Sequence, residues 1–276
     1  MQHLMASLLS IGAAVGGPVV FVSGFRAMRV RQLIQETPTS KIRSMAMGLV
    51  EINGKVSPRS RVNAPFSGRD CAYWEIEIQV RSRESRTGVQ RWDTVHRNHS
   101  GNPFYLDDGT GLALVYPQGA EVSTPFGVEE QTNGFGVPEM YMQYMEQQYL
   151  HLRALWSVGP MRFRERVLDD GLIVYVLGRA YPKAQAKVVS FDEEALEATG
   201  TDSIGAARVR GRDEDVRGVV RRGTQDVAYL ISPRSEKNMT FEYGLKAFGG
   251  VVGGPLLCIF GVWCLLELAK SGQLFR

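Results

Sequence analysis

The sequence predicts an α+β, β-rich fold: a mostly antiparallel small barrel or sandwich with one amphipathic helix, flanked by two transmembrane helices. Three observations carry that expectation. Two uncharged blocks, Leu4–Phe25 and Ala247–Leu266, stand near the two ends of the 276 residues, and each is long enough to cross a hydrocarbon core about 30 Å thick. Between them apolar side chains recur at every second residue in several short runs, the period of a half-buried strand. Only one long stretch between the blocks repeats at three and four, which excludes a doubly wound parallel sheet, where helices alternate with strands.

The first block, residues 4–25, resembles a signal peptide in hydrophobicity alone. Its leading residues Met1-Gln2-His3 carry no Lys or Arg, and no small-x-small cleavage site follows Val19, so an uncleaved anchor is expected. Gly12 and Gly16 stand four apart within it, as Gly249 and Gly253 do in the second span, residues 247–268. Small residues at that spacing let two helix backbones meet in lipid; the competing reading is the ordinary glycine content of membrane helices. Arg26, Arg29, Arg31, Lys41 and Arg43 follow the first span and Arg234, Lys237 and Lys246 precede the second. In a bacterial or archaeal cytoplasmic membrane that excess places the central region in the cytoplasm, with both termini of a two-pass protein outside.

Residues 26–36 extend the first helix as a basic stem until Pro38 stops it. A strand is expected over Ala46–Val56, interrupted by Asn53-Gly54 as a tight turn or bulge. Residues Tyr73 to Val80 alternate strictly, with Trp74, Ile76, Ile78 and Val80 on one face and Tyr73, Glu75, Glu77 and Gln79 on the other. The polar run Arg81–Gly88 is a hairpin loop, and Val89–Val95 returns as the antiparallel partner. Phe104–Leu106 and Leu112–Tyr116 flank Asp107-Asp108-Gly109, and Arg162–Leu168 and Leu172–Gly178 flank Asp169-Asp170-Gly171. Both read as strand-turn-strand units, and a hairpin preference accounts for the echo without duplication. Between them, Pro138–Trp156 sets Met142, Met145, Tyr149, Leu152 and Trp156 on one helical stripe, either a core face or a partner face. Residues 192–226 dissolve into charge and glycine as a flexible excursion, with short strands expected at Ala207–Arg210 and Val216–Arg222. After a last strand at Tyr229–Ile231, Ser232-Pro233 starts a helix, 233–246, that leads into the second span.

Several of these residues together resemble the GIDE domain, the "beside a membrane" module of the mitochondrial-anchored protein ligase and of many bacterial and archaeal membrane proteins. The motifs are Thr37-Pro38-Thr39-Ser40-Lys41 with Gly48-Leu49-Val50-Glu51, then Pro65-Phe66-Ser67-Gly68, with later agreement in 104–122, 162–180 and 229–237. The resemblance spans residues 37–237. In the mitochondrial relatives the domain faces the intermembrane space and is followed by a zinc-binding RING finger. Here only Ser271–Arg276 follows the second span, so the resemblance does not carry ligase activity with it. The function expected is a non-catalytic interaction or scaffold module at the membrane surface; the alternative is a ubiquitin-ligase-like activity.

Candidate chemistry is sparse. Asp93, His96 and His99 form the best local metal cluster, yet residues three apart on a strand face opposite sides, so a solvated loop is the expectation and no metal is assigned. Asp107-Asp108-Gly-Thr-Gly lacks the twelve-residue ladder of a calcium loop. Cys71 is the only cysteine outside the second span, so no disulfide forms within the domain, and it has no helix N-terminus to activate it. No phosphate-cradling loop or nucleophile elbow occurs, and no cofactor is implied. Glu165 and Arg166, in Arg162-Phe163-Arg164-Glu165-Arg166, match a family motif; they are read either as cross-strand ion pairs on an outer face or as an interaction site. The net charge of +3 argues against nucleic acid. The partners expected are the lipid bilayer, an unidentified protein and a second copy of the chain.

Overall fold

Five of the strands close into a ring. In a computed structural model that describes residues 2–83, 90–133, 137–148, 160–183, 203–224, 228–233 and 236–270, the chain divides into two units, Thr39–Pro233 and a helical unit of Met1–Pro38 with Arg234–Arg276. The strands are β1 (Gly48–Pro58), β2 (Val62–Asn63), β3 (Asp70–Cys71), β4 (Tyr73–Arg83), β5 (Gln90–His99), β6 (Phe104–Asp107), β7 (Leu112–Val115), β8 (Glu121–Val122), β9 (Val128–Thr132), β10 (Met161–Leu168), β11 (Ile173–Pro182), β12 (Val216–Arg221) and β13 (Leu230–Ser232). The helices are α1 (Gln2–Glu36), α2 (Glu139–Gln147), α3 (Ser203–Glu214) and α4 (Glu236–Lys270).

The ring runs β1-β6-β7-β12-β11 and returns to β1, antiparallel everywhere except between β7 and β12. Numbered by appearance, the strands follow each other as first, second, third, fifth, fourth, the arrangement of an OB-like Greek-key barrel. Closure leaves no edge within the ring. Its interior holds Val50, Ile52 and Val56 of β1, Phe104 and Leu106 of β6, Val115 of β7, Val174 and Val176 of β11 and Val220 of β12. Beyond the ring, β13 and β8 extend from β11. Asn53-Gly54 makes no turn: both residues lie inside continuous β1, paired with Tyr175 and Val174. Gly54 is needed instead for close approach, since a Cβ there would meet the Asp107 carbonyl oxygen at 2.7 Å.

A second sheet, β5-β4-β10-β9, is wholly antiparallel. The hairpin expected between Tyr73 and Val95 is present as β4–β5. Its partner strand runs four residues further than expected, to His99, and residues 84–89 of its turn lie outside the described residues. The pair β6–β7 is the second expected hairpin. The third is not a hairpin: β10 pairs with β4 and β9 while β11 pairs with β1, β12 and β13, so Asp169-Asp170-Gly171 carries the chain from one sheet to the other. The amphipathic helix forms as α2, with Tyr141, Tyr144 and Met145 packed on Ile76, Ile78, Phe163 and Phe66. Its expected continuation through Tyr149, Leu152 and Trp156 lies outside the described residues.

The excursion is more ordered than its composition suggests. Residues 192–202 lie outside the described residues, but α3 is a helix where a strand was expected at Ala207–Arg210. Two anchors explain it: Val209 is buried, and Asp213 accepts bonds from Arg59 Nη2 at 2.9 Å and the Tyr105 hydroxyl at 2.7 Å. These partners stand more than a hundred residues away, beyond the reach of a local pattern. The expected strand that follows is β12, which completes the ring.

In the helical unit, α1 and α4 pack antiparallel, and each contains a stretch long and apolar enough to cross a membrane, Leu9–Glu36 and Thr240–Lys270. Their contact uses other glycines than Gly12, Gly16, Gly249 and Gly253, where an added Cβ would meet nothing within 4 Å. At Gly24 it would lie 2.5 Å from Gly250 Cα, at Gly17 2.6 Å from Gly254 O, and at Gly261 2.5 Å from Ala14 N. Gly249-Gly250 and Gly253-Gly254 are doubled, so two four-residue ladders about 100° apart on the helix compete for the seam. The ladder Gly250 and Gly254 faces α1. Large apolar side chains point the other way: Leu9, Val15, Val19, Val22, Leu256, Ile259 and Trp263 are all exposed.

Candidate functional site

The family-like motifs converge on two buried glutamates. Glu165 lies on β10 between Ile76 and Val128, on the same face as Phe163 and Met161, and is 1% exposed. It is therefore not on the outer face expected for it. Its carboxylate accepts the backbone N–H of Phe66 at 2.6 Å and of Ser67 at 3.1 Å, which compensates the burial of a charge. The turn it grips ends at Gly68, whose φ of 66° favours glycine. That grip sets the Phe66 ring edge-on to Tyr141, Tyr144 and Phe163, with centroids 4.8, 5.5 and 5.9 Å away. Thus Pro65-Phe66-Ser67-Gly68 and Glu165 are one structural device, a clamp between a turn and a sheet.

Glu51 plays the same part on the barrel. Fully buried on β1, it accepts the Thr39 hydroxyl and, at 3.1 Å, the Tyr175 hydroxyl, while its carbonyl takes the Ser40 N–H at 2.8 Å. Thr39-Ser40 and Gly48–Glu51 meet through this residue. The pattern of the two motifs does not reveal their joint; its one signal in the sequence is a lone acid among Leu49, Val50 and Ile52.

Arg166 sits next to Glu165 in sequence and across the sheet from it in space. It joins Arg162 and Arg164 on a charged face with Glu75, Glu77 and Gln79 of β4, their direct cross-strand partners. Arg166 lies 3.8 Å from both Glu75 and Glu77, donates to the Val122 carbonyl, and stacks its guanidinium 4.1 Å from the Phe126 centroid. Arg164 stacks on the same ring at 4.7 Å and pairs with Glu129 at 2.9 Å. Arg97 of β5, 60% exposed, completes the lattice by bonding Glu77. Burial raises the Glu75 carboxyl above its ordinary range, and the Arg166 and Arg97 guanidiniums pull it only partly back. The Nε atoms of Arg164 and Arg166 are buried without a hydrogen bond. The expectation of cross-strand ion pairs therefore fits Arg166 and not Glu165.

The remaining candidates are separated or buried. His96 and His99 lie on β5 rather than on a loop: His96 approaches the Tyr144 hydroxyl at 3.4 Å on the helix side, and His99 stacks on Tyr73 of the charged face. Among the described residues no three His, Cys, Asp or Glu side chains gather as a metal site. Cys71 is 1% exposed, and burial, helped by the carboxylates of Glu165 and Asp169, pushes its thiol up to about 11. A thiol so placed is a poor nucleophile at neutral pH. The Asp108 carboxyl, by contrast, is consumed by the backbone, accepting Ile42 N–H at 2.9 Å and Thr110 N–H at 2.8 Å.

Comparison with protein families matches residues 76–192 to the GIDE family, described as E3 Ubiquitin ligase. The match covers β4 to β11 and leaves out the Thr37–Gly68 motifs that first suggested the resemblance. No curated protein and no solved structure matches the chain.

Proposed function

We propose that this GIDE-domain chain is a two-pass membrane protein whose central domain serves as a non-catalytic interaction module at the membrane surface. One observation carries the reading: the two buried glutamates of the family-like motifs hold the fold together, and the cysteine of the central domain is buried. Glu165 clamps the Phe66–Ser67 turn, Glu51 ties the Thr39 segment to the barrel, and Cys71 is buried with its thiol raised. The half-buried arginine and glutamate lattice on β5, β4 and β10 is the surface on which a protein partner would dock. Its alternating charges set register more than affinity. The basic flanks Arg26, Arg29 and Arg31 support a domain on the cytoplasmic side of the membrane.

A ligase-like activity is the second reading, favoured by the description of the matching family. The full chain in lipid nanodiscs, supplied with ubiquitin, activating and conjugating enzymes, ATP and zinc, separates the two. The expected outcome is no ubiquitin conjugate above a chain-free control. Conjugates that require the chain would overturn the non-catalytic reading.

A further inference from the structure

About two helical turns beyond the Gly24–Gly250 crossing, the helical unit opens a groove of about 590 Å3. Arg31 and Gln35 of α1 line it on one side, and Thr240, Phe241, Leu245 and Phe248 of α4 on the other. Its composition is two-sided. Phe241, Leu245 and Phe248, spaced four and three apart and therefore on one helix face, are 75%, 65% and 69% exposed. Opposite them the Arg31 guanidinium crosses Gly244, where an added Cβ would lie 3.5 Å from its Cζ. No carboxylate pairs with Arg31 among the described residues, whereas nearby Lys246 is held by Glu242 at 3.0 Å. The Thr240 hydroxyl is buried and makes no hydrogen bond, a cost that one χ1 rotation toward the groove would relieve.

The level of the groove selects its occupant. Arg31 stands six residues, about 9 Å, past Phe25, the last residue of the first uncharged block. The headgroup layer occupies about 5–8 Å on each side of the hydrocarbon. Side chains on a helix tilt toward its N-terminus, which in α1 is the membrane side, so the Arg31 head reaches back into that layer. Phe248, at the start of the second block, lies at the hydrocarbon edge.

We infer that this groove is a binding site for an anionic phospholipid. Its phosphate lies on Arg31, and the polar headgroup beyond the phosphate reaches up to Gln35 and the rotated Thr240 hydroxyl. The first methylenes of an acyl chain run over Leu245 and Phe248, and Phe241 covers the headgroup from the water side. A free inorganic anion would satisfy Arg31 and leave the apolar wall bare. The site rests on the proposed membrane anchoring.

The test uses the full chain in membranes of phosphatidylcholine and phosphatidylglycerol in equal parts. Native mass spectrometry after release reads which lipid stays bound. Phosphatidylglycerol should be retained preferentially, and Arg31→Gln should lower that preference at least about tenfold, the factor that corresponds to about 1.5 kcal/mol for one lost hydrogen bond to a charged group. Thr240→Val should lower it less, and Arg29→Gln, outside the groove, should leave it unchanged. Equal loss with Arg29→Gln would mean diffuse attraction by the basic stem and overturn the site, as would displacement of the lipid by inorganic phosphate. A chain that resists alkaline carbonate yet shows no lipid preference sinks the lipid site alone. A chain that carbonate extracts sinks the anchoring and the site together.

Discussion

Leu106-Asp107-Asp108-Gly109 and Leu168-Asp169-Asp170-Gly171 are the same four residues twice. They share a fully buried leucine in the same core cluster and a glycine of left-handed φ, 78° and 83°. The first closes the β6–β7 hairpin and the second links two sheets. In the first, the carboxylates turn onto the chain: Asp107 accepts Gly109 N–H, and Asp108 accepts Thr110 and Ile42 N–H. In the second they turn to solvent, Asp169 pairing with Arg69 at 2.7 Å and Asp170 with Arg61 at 2.8 Å, while Gly171 N–H bonds the Val56 carbonyl of β1. A strand has two edges. β10 pairs with β4 along its whole length and with β9 over Met161–Glu165, while β11 leaves that sheet and enters the barrel beside β1. The turn is a local property; the pairing is not.

The comparison can be broken first at the leucines. Leu106→Ala and Leu168→Ala should each cost about 2–5 kcal/mol, and similarly, because both side chains end in one core although their turns differ. Denaturant unfolding of the full chain in detergent measures it; a cost confined to Leu106 would show that the linking turn is not part of the barrel's core. The carboxylates sharpen the contrast. Asp108→Ala leaves the Ile42 and Thr110 amides unpaired and should cost about 1–3 kcal/mol, whereas Asp170→Ala, at an exposed ion pair, should stay within about 1 kcal/mol. Equal losses in the same unfolding experiment would refute the distinction.

The smallest effect is acid dependence. Burial tends to raise the Asp108 carboxyl, but bonds from the Thr110 hydroxyl and the Ile42, Thr110 and Gly111 amides outweigh it and hold the group below its ordinary value. A carboxyl depressed on folding contributes stability that is present above the unfolded pKa of about 3.9 and lost as pH falls through the lower folded value. The protection of the Ile42 amide, its exchange measured against the intrinsic rate at each pH, should therefore fall on acidification below about pH 4. Asp108→Asn should remove that step, and a step that survives the substitution would assign it to another group.

What the sequence determined by itself was of short range. Periods of two and of three to four placed β4, β10 and α2, short apolar runs on either side of a turn placed β6 and β7, two uncharged blocks gave the membrane-length helices, and Asp-Asp-Gly gave both turns, because dihedral preference and burial act within a few residues. The family-like motifs were legible as text, but their purpose was not. Glu165 reads as one charge in an alternating outer row, and only the third dimension turns it onto the Phe66 and Ser67 amides, about a hundred residues away. Likewise Asp213 with Arg59, β11 with β1, and the choice of Gly250 and Gly254 over Gly249 and Gly253 needed a partner surface. Tertiary structure decided these because a strand's free edge, a helix's facing side and a buried charge's counter-donor are properties of two distant segments at once, and neither segment's residues specify the other.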